Sequence, residues 1–317
     1  MRALVTGADG FVGGYLINYL LAETDLEIIG TVYKYGKQPD PDFASSRVTL
    51  ERLDLLENSA VAGVLTRYRP EYIFHLAGQA FVPLSWENPR STFEQNVFIL
   101  LNLFQSILAA KLDTKILVVG SGDEYGAIDP EDLPIDEETR LRPVSPYGAS
   151  KVTQDLLAWQ YHRSHGLHTV RVRPFNHIGP GQNEVFVTSS FAKQIAEIEA
   201  GKHSPVLRHG NLEAKRDFTD VNDIVRAYWL ALNYGQPGGV YNVGSGQAVS
   251  IQQILDILLS LAKTPIIVES DPDRMRPSDT PVFVSNSSRL KQATGWEPQI
   301  PLEQTLYDIL ADWRKRV

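Results

Sequence analysis

Short apolar runs alternate with helically spaced apolar residues along the first half of the chain. Arg2-Ala-Leu-Val-Thr6 reads as a strand running straight into Gly7-Ala-Asp-Gly10-Phe-Val-Gly13, after which Tyr15 to Leu21 carries a helical pattern. Leu26 to Val32 and Val48 to Leu53 read as further strands, and Lys115 to Gly120 as a strand delivering Ser121 at its carboxyl end. The spacing of Phe93, Val97, Leu100, Leu101, Phe104 and Ile107 predicts a helix over 92–110 that faces a core first and a subunit contact second. A second helix is predicted over 147–165. After Lys151 the pattern is less regular, with no internal repeat, low-complexity tract or linker.

The glycines sharpen this picture. Gly7 permits a tight turn, Gly10 lets backbone approach a pyrophosphate, Gly13 allows close helix packing, and Phe11 and Val12 open a helix whose N-terminus favours phosphate. A glycine turn between strand and helix predicts dinucleotide binding. The fold class expected is α/β, a Rossmann-type doubly wound parallel sheet with a smaller C-terminal substrate-binding lobe. Residues 1–175, with return segments near 217–243, are assigned to the dinucleotide-binding domain and 176–317 to the lobe. The second strand runs into Tyr33 and Lys34 with no acid at the ribose position, which favours NADP(H), NAD(H) being possible. Asp54, with Leu55 beside it, reads as an adenine contact or as a helix N-cap.

Composition narrows the classes. With 317 residues and 43% apolar content the chain suffices for such a core plus a lobe. The absence of cysteine removes disulfides, thiolate metal sites and a cysteine nucleophile. A net charge of -8 argues against nucleic acid as a target. The first strand starts at the second residue with no leader before it, and no apolar run is expected to reach membrane-spanning length, so a cytoplasmic location is expected. His162, His165 and His168 do not share one helical face and have no carboxylate companion, so no metal is assigned.

Tyr147 and Lys151, in Ser145-Pro-Tyr-Gly-Ala-Ser-Lys151, share a helix face. A nearby ammonium favours the phenolate, so the pair is expected to bring the tyrosine down toward working pH, as a general acid/base needs.

The glycine turn, Asp54-Leu55, His75-Leu76-Ala77-Gly78, Asn96, Ser121 and Tyr147/Lys151 follow in the order of the extended short-chain dehydrogenase/reductase family, which the whole chain resembles. The resemblance implies that Tyr147 is the catalytic acid/base, that Lys151 tunes it and holds the nicotinamide ribose, and that Ser121 bonds the reacting oxygen. It further implies cofactor contacts at Leu76, Ala77, Gly78 and Asn96, Asn96 bending its helix or holding a relay water, and a homodimer paired through the two predicted helices.

The second half carries Asn176-His-Ile-Gly-Pro180-Gly181, Phe186-Val187, Lys193, Gly210-Asn211 through Arg216-Asp-Phe-Thr-Asp220, and Arg274-Met-Arg276-Pro277-Ser-Asp279. Arginine forks beside turn residues suit a diphosphate. These segments resemble the branch containing the GDP-mannose 4,6-dehydratases and related GDP-sugar reductases. That resemblance implies nucleotide contacts at Asn176, Val187, Lys193, Arg216, Arg276 and Asp279, the last standing where the branch has a glutamate. In Ser121-Gly122-Asp123-Glu124-Tyr125, Asp123 stands where the dehydratases keep an essential glutamate, and Gly122 supplies no second functional side chain. An acid one methylene short is a poorly positioned base for elimination, while Glu124 is either solvated or a substitute for it. The expected activity is NADPH-dependent reduction of GDP-4-keto-6-deoxy-D-mannose to GDP-D-rhamnose. The alternatives are a GDP-mannose 4,6-dehydratase, a reductase giving GDP-6-deoxy-D-talose, and a non-catalytic NADP-sensing module.

Overall fold

Each apolar run of the first half becomes a strand of one sheet. The structure, a computed structural model, describes residues 1–36, 41, 43–274 and 280–317. In chain order come β1 (Arg2–Thr6), α1 (Phe11–Glu23), β2 (Glu27–Tyr33), β3 (Val48–Leu53), α2 (Asn58–Tyr68) and β4 (Tyr72–His75). They are followed by α3 (Val82–Glu87), α4 (Pro89–Phe93), a π-helical turn (Glu94–Phe98), α5 (Ile99–Ala110), β5 (Lys115–Val119), α6 (Pro146–His165) and β6 (His168–Pro174). The second half contributes β7 (Asn176–Ile178), α7 (Val187–Glu199), β8 (Val206–His209), β9 (Lys215–Asp220), α8 (Val221–Tyr234) and β10 (Val240–Val243). Then come β11 (Ala248–Ser250), α9 (Ile251–Ser260), β12 (Ile267–Ser270), β13 (Val282–Phe283), α10 (Ser288–Thr294) and α11 (Leu302–Arg316).

The main sheet is parallel throughout, in the order β10-β6-β5-β4-β1-β2-β3. Successive side chains alternate between its faces. Ala3 and Val5 join Leu16 and Leu20 of α1 and Ile224 of α8 in one core. Leu4 joins Leu65 of α2 and Leu100 and Phe104 of α5 in the other. Burial on both faces explains why these strands read as continuous apolar runs rather than alternating ones. The order reverses at β1, so the carboxyl ends of β1 and β4 open a crevice.

Helix α6 is fixed by local chemistry. The Ser145 hydroxyl accepts from the Gly148 amide at 3.0 Å, Pro146 occupies the first turn, and Gly166 ends the helix at φ +70°. The other long helix differs from expectation. Pro89 to Ala110 is one helical stretch of 22 residues, within which an 18-residue window has mean hydropathy 1.2, long and apolar enough by those measures alone to cross a membrane. Its Leu100, Phe104 and Ile107 are nevertheless buried between the sheet, α2 and α6.

In the second half β9 pairs with β7, β11 and β13. Phe191 and Ile195 of α7, Leu258 of α9 and Leu306 and Trp313 of α11 close a separate core around Phe218. β9 runs directly into α8, which packs on the main sheet, so one turn joins the two layers.

Candidate active site

The crevice at β1 is a cleft of about 450 Å3 whose walls include Gly7, Gly10, Tyr33, Asp54, Leu55 and the Leu76-Ala77-Gly78 segment. Gly7 has φ +74°, and a Cβ on Gly13 would fall 2.0 Å from the Gly7 carbonyl oxygen, so any larger side chain would push α1 off the turn. Gly10 caps α1 without a side-chain bond, and the first turn carries no acid. The amides of that first turn are therefore unopposed by side-chain acids, a donor set that fits a diphosphate. Phe11 and Val12 follow on α1 outside the walls of that cleft. The Phe11 ring stacks parallel on His177, 6.4 Å between centroids, linking the glycine turn to the segment after β6. Sequence reading passed over His177, whose place directly after Asn176 was the available signal.

Asp54 Oδ1 accepts from the Leu56 amide at 2.9 Å, and Glu57, not Asp54, takes the N-cap of α2. Lys34 is exposed at the end of β2 and paired with Glu57 at 3.2 Å, beside the cleft rather than in its wall. Asn96 lies in the π-helical turn, fully buried. Its Oδ1 accepts from the Gln79 amide at 2.7 Å, and its Nδ2 donates to the Gln79 carbonyl at 3.1 Å and the Ser150 hydroxyl at 2.8 Å. Asn96 thus clamps the cleft-lining loop to α6, and the wider turn gives its side chain the reach.

Ser121, Tyr147 and Lys151 meet where β5 ends against the start of α6. The Tyr147 phenol is hydrogen-bonded to the Ser121 side chain. Lys151 Nζ lies 5.9 Å from the Tyr147 ring centroid and donates to the Val119 carbonyl at 3.0 Å. Burial raises the Tyr147 phenol above its ordinary range, Asp123 adds to this, the Ser121 bond opposes it, and Glu124 raises it further. This corrects the expectation of a lysine-lowered phenol: desolvation outweighs any help from the neighbouring ammonium. Lys151 itself is brought down to about 8 by burial, against the pull of Glu124. Asp123 keeps an exposed surface yet is closely surrounded by protein, which raises its carboxyl, with Arg216 acting against the rise. Glu124 is neither solvated nor turned toward substrate. It is fully buried, its Oε1 accepting from the Ser121 amide at 2.8 Å and its Oε2 lying 3.1 Å from Arg173 Nε.

A second cleft of about 380 Å3 opens in the lobe and brings Asn176, Val187 and Arg216 together. Arg208, His209 and Arg274 join them, giving three arginines around one concavity. Arg208 and His209 escaped sequence reading although they end β8 directly before the Gly210-Asn211 turn. Lys193 is not in this wall: it pairs with Glu184 at 2.5 Å and Glu197 at 3.7 Å on the flank of α7. Arg276 and Asp279 lie outside the described residues.

A doubly wound sheet with a glycine turn and a Ser-Tyr-Lys group at its carboxyl edge defines an enzyme of the extended short-chain dehydrogenase/reductase type. Residues 4–309 match the family described as GDP-mannose 4,6 dehydratase, and the chain belongs to that family. It is 37% identical over 317 residues to the GDP-6-deoxy-D-mannose reductase of Pseudomonas aeruginosa, covering 100% of this chain and 98% of that one. To the GDP-mannose 4,6-dehydratase of Vibrio cholerae it is 25% identical, over 98% of this chain and 93% of the relative. The solved structure of the Pseudomonas aeruginosa RMD protein complexed with NADPH superposes with a TM-score of 0.87 at 35% identity, each chain covered completely.

Proposed function

We propose that this protein reduces the 4-keto group of GDP-4-keto-6-deoxy-D-mannose to GDP-D-rhamnose with NADPH. The observation that carries the reading is the disposition of the two acids after Ser121: Asp123 is exposed, whereas Glu124 is sealed beneath the turn. The glutamate of this turn is thus turned away from proton abstraction at carbon 5. The greater identity to a reductase than to a dehydratase supports the same reading.

When bound, NADPH supplies the hydride. Ser121 orients and polarises the ketone, and Tyr147, kept as a phenol by its burial, gives its proton to the oxygen as negative charge develops there. Lys151 stabilises the tyrosinate that results and holds the nicotinamide ribose. Asn176, Val187 and Arg216, with Arg208 and Arg274, hold the GDP, the guanidinium forks matching phosphate oxygens. In this reading residues 1–175 carry the dinucleotide and 176–317 the sugar nucleotide, the second half also lending β10 to the sheet. Phe98, Leu156 and Trp159 are 50%, 54% and 47% exposed on the paired helices, which supports a homodimer joined there. The location proposed is the cytoplasm, where reduced dinucleotide is available.

The test is anaerobic incubation with GDP-mannose or with GDP-4-keto-6-deoxy-mannose, with and without NADPH, the products resolved by proton NMR. Stoichiometric NADPH oxidation with the keto-sugar alone, giving a carbon 4 alcohol, is expected, and the coupling constants report its configuration. Conversion of GDP-mannose without net cofactor use would overturn the reading.

A further inference from the structure

Behind the second cleft a buried acid gathers the strands of the lobe. Arg216 and Asp217 are consecutive on β9, so Arg216 lines the cleft while Asp217 leaves the opposite face. Asp217 is fully buried, and its Oδ1 accepts from the Ser245 amide at 2.8 Å and the Ser245 hydroxyl at 2.5 Å. Its Oδ2 accepts from the Gly246 amide at 3.0 Å, the Ser285 amide at 3.1 Å and the Ser285 hydroxyl at 2.6 Å. The surrounding turn is shaped for this: Gly246 has φ +73°, and a Cβ on Gly244 would fall 2.7 Å from Asp217 Oδ2. Burying an acid is costly unless its oxygens are met by donors, and an apolar side chain often serves a core as well or better. Packing alone therefore gives no reason for this residue, whereas five hydrogen bonds from two other segments give one: they join those segments to β9.

We propose that Asp217 is a positioning residue for the sugar nucleotide: it clamps three chain segments together so that Arg216 is held at one place in the second cleft. The inference rests on reading that cleft as the GDP site. Ser245 and Gly246 lie between β10, an edge of the main sheet, and β11, which pairs with β9. Ser285 follows β13, which pairs with β9 on its other side and sets Phe283 opposite Arg216. Just before β13 the Thr280 carbonyl accepts from Arg216 Nη1 at 3.0 Å, and the Lys215 carbonyl accepts from the same nitrogen at 2.8 Å. The strand that carries the guanidinium and the strand whose approach aims it are thus tied to one acid. A cation aimed in advance loses less freedom when a phosphate arrives, and affinity is gained by that saving. Because the Ser245 turn comes straight from β10, the same clamp fixes the cleft against the main sheet.

The test titrates GDP, and separately NADPH, into wild type, Asp217→Asn and Ile309→Val by calorimetry. Asp217→Asn keeps the shape but turns an NH2 group toward hydrogen-bond donors, while Ile309→Val loosens the lobe core in α11 away from the cleft. In Asp217→Asn the affinity for GDP is expected to fall about 10-fold or more, with NADPH affinity within about two-fold of wild type, as for a distant site. KM for the keto-sugar should rise with the GDP dissociation constant while kcat holds. Ile309→Val should bind both ligands as wild type does. The Arg216 Nε–H bond, assigned through Arg216→Lys, is followed by nitrogen-15 NMR in the ligand-free protein, and its order parameter should fall in Asp217→Asn alone. If Asp217→Asn does not fold, Ser285→Ala, which removes one hydroxyl donor, is expected to weaken GDP binding by about three-fold or more. Unchanged GDP affinity, or a loss shared by NADPH or by Ile309→Val, overturns the proposal. A wild type that binds no GDP overturns the reading of the cleft instead, and the Arg216 order parameter still decides the role of Asp217.

Discussion

Asn96 and Ser150 are joined by a 2.8 Å hydrogen bond, and Ser150 in turn donates to the Tyr147 carbonyl at 2.7 Å. The loop after β4 and the first turn of α6 are thus one hydrogen-bonded unit. Asn96→Ala would leave the Gln79 amide and carbonyl without these partners in a buried setting. The expected cost is about 2 kcal/mol or more, with weaker NADPH binding, measured by urea denaturation and cofactor titration. Unchanged stability and binding would show that the clamp is redundant.

Tyr147→Phe removes the proton donor while the ring still fills its site. The rate of hydride transfer should fall by about 100- to 10,000-fold, whereas NADPH affinity stays within a few-fold of wild type. Single-turnover absorbance and equilibrium binding separate these two effects. A variant that keeps its rate would remove Tyr147 from the chemistry.

His75 titrates against folding. The Thr6 hydroxyl accepts from the Leu76 and Ala77 amides at 3.1 Å each, so its hydrogen faces His75 Nδ1, 3.0 Å away. The ring is therefore held neutral, and burial lowers it from 6.5 to about 3, with Lys151 adding to the effect. Because the unfolded chain binds this proton more tightly, the contribution is complete above 6.5 and is lost as pH falls toward 3. The slope is about 1.4 kcal/mol per pH unit below 6.5. Denaturation series on wild type and His75→Asn should show the wild-type curve steeper through this window. Parallel curves would mean that His75 does not titrate there.

Lys34→Glu tests the reading of the 2′-phosphate. The reversal places a second acid beside Glu57, where it repels a phosphate, and a fall of about 10-fold in NADPH affinity relative to NADH is expected. An unchanged ratio of affinities would assign cofactor choice to other residues.

Trp159→Asp together with Phe98→Asp should convert the proposed dimer to monomer at micromolar concentration, read by sedimentation velocity. Both side chains stand outside the core, so the variant should retain a folded monomer's melting transition. A wild type that sediments as a monomer would dismiss the interface.

How far the sequence could be read depended on whether a residue's role was set by near neighbours or by distant ones. The glycine turn and the Tyr147/Lys151 pair were legible because strand, turn and helix spacing act within a few residues. Glu124 looked ambiguous because its partner Arg173 is on β6, 49 positions away in the chain, and Lys34 gave no sign of Glu57 across the β3 connection. The π-helical turn at Asn96 follows from bonds to Gln79 and Ser150, which local periodicity cannot foretell. The fall in the Tyr147 pKa was misjudged for a related reason: the cation is visible in sequence, but the depth of burial is not.

Strand β10 has a bearing on biosynthesis. The edge that covers β6 comes from residues 240–243, encoded after β7 to β9 and most of the first layer of the lobe. A nascent chain can assemble six strands early, yet β6 stays an unpaired edge until residue 243 has emerged from the ribosome. During that interval it is open to pairing with another chain. Translation that stalls before this point would leave a nearly finished nucleotide-binding layer with its most aggregation-prone side bare.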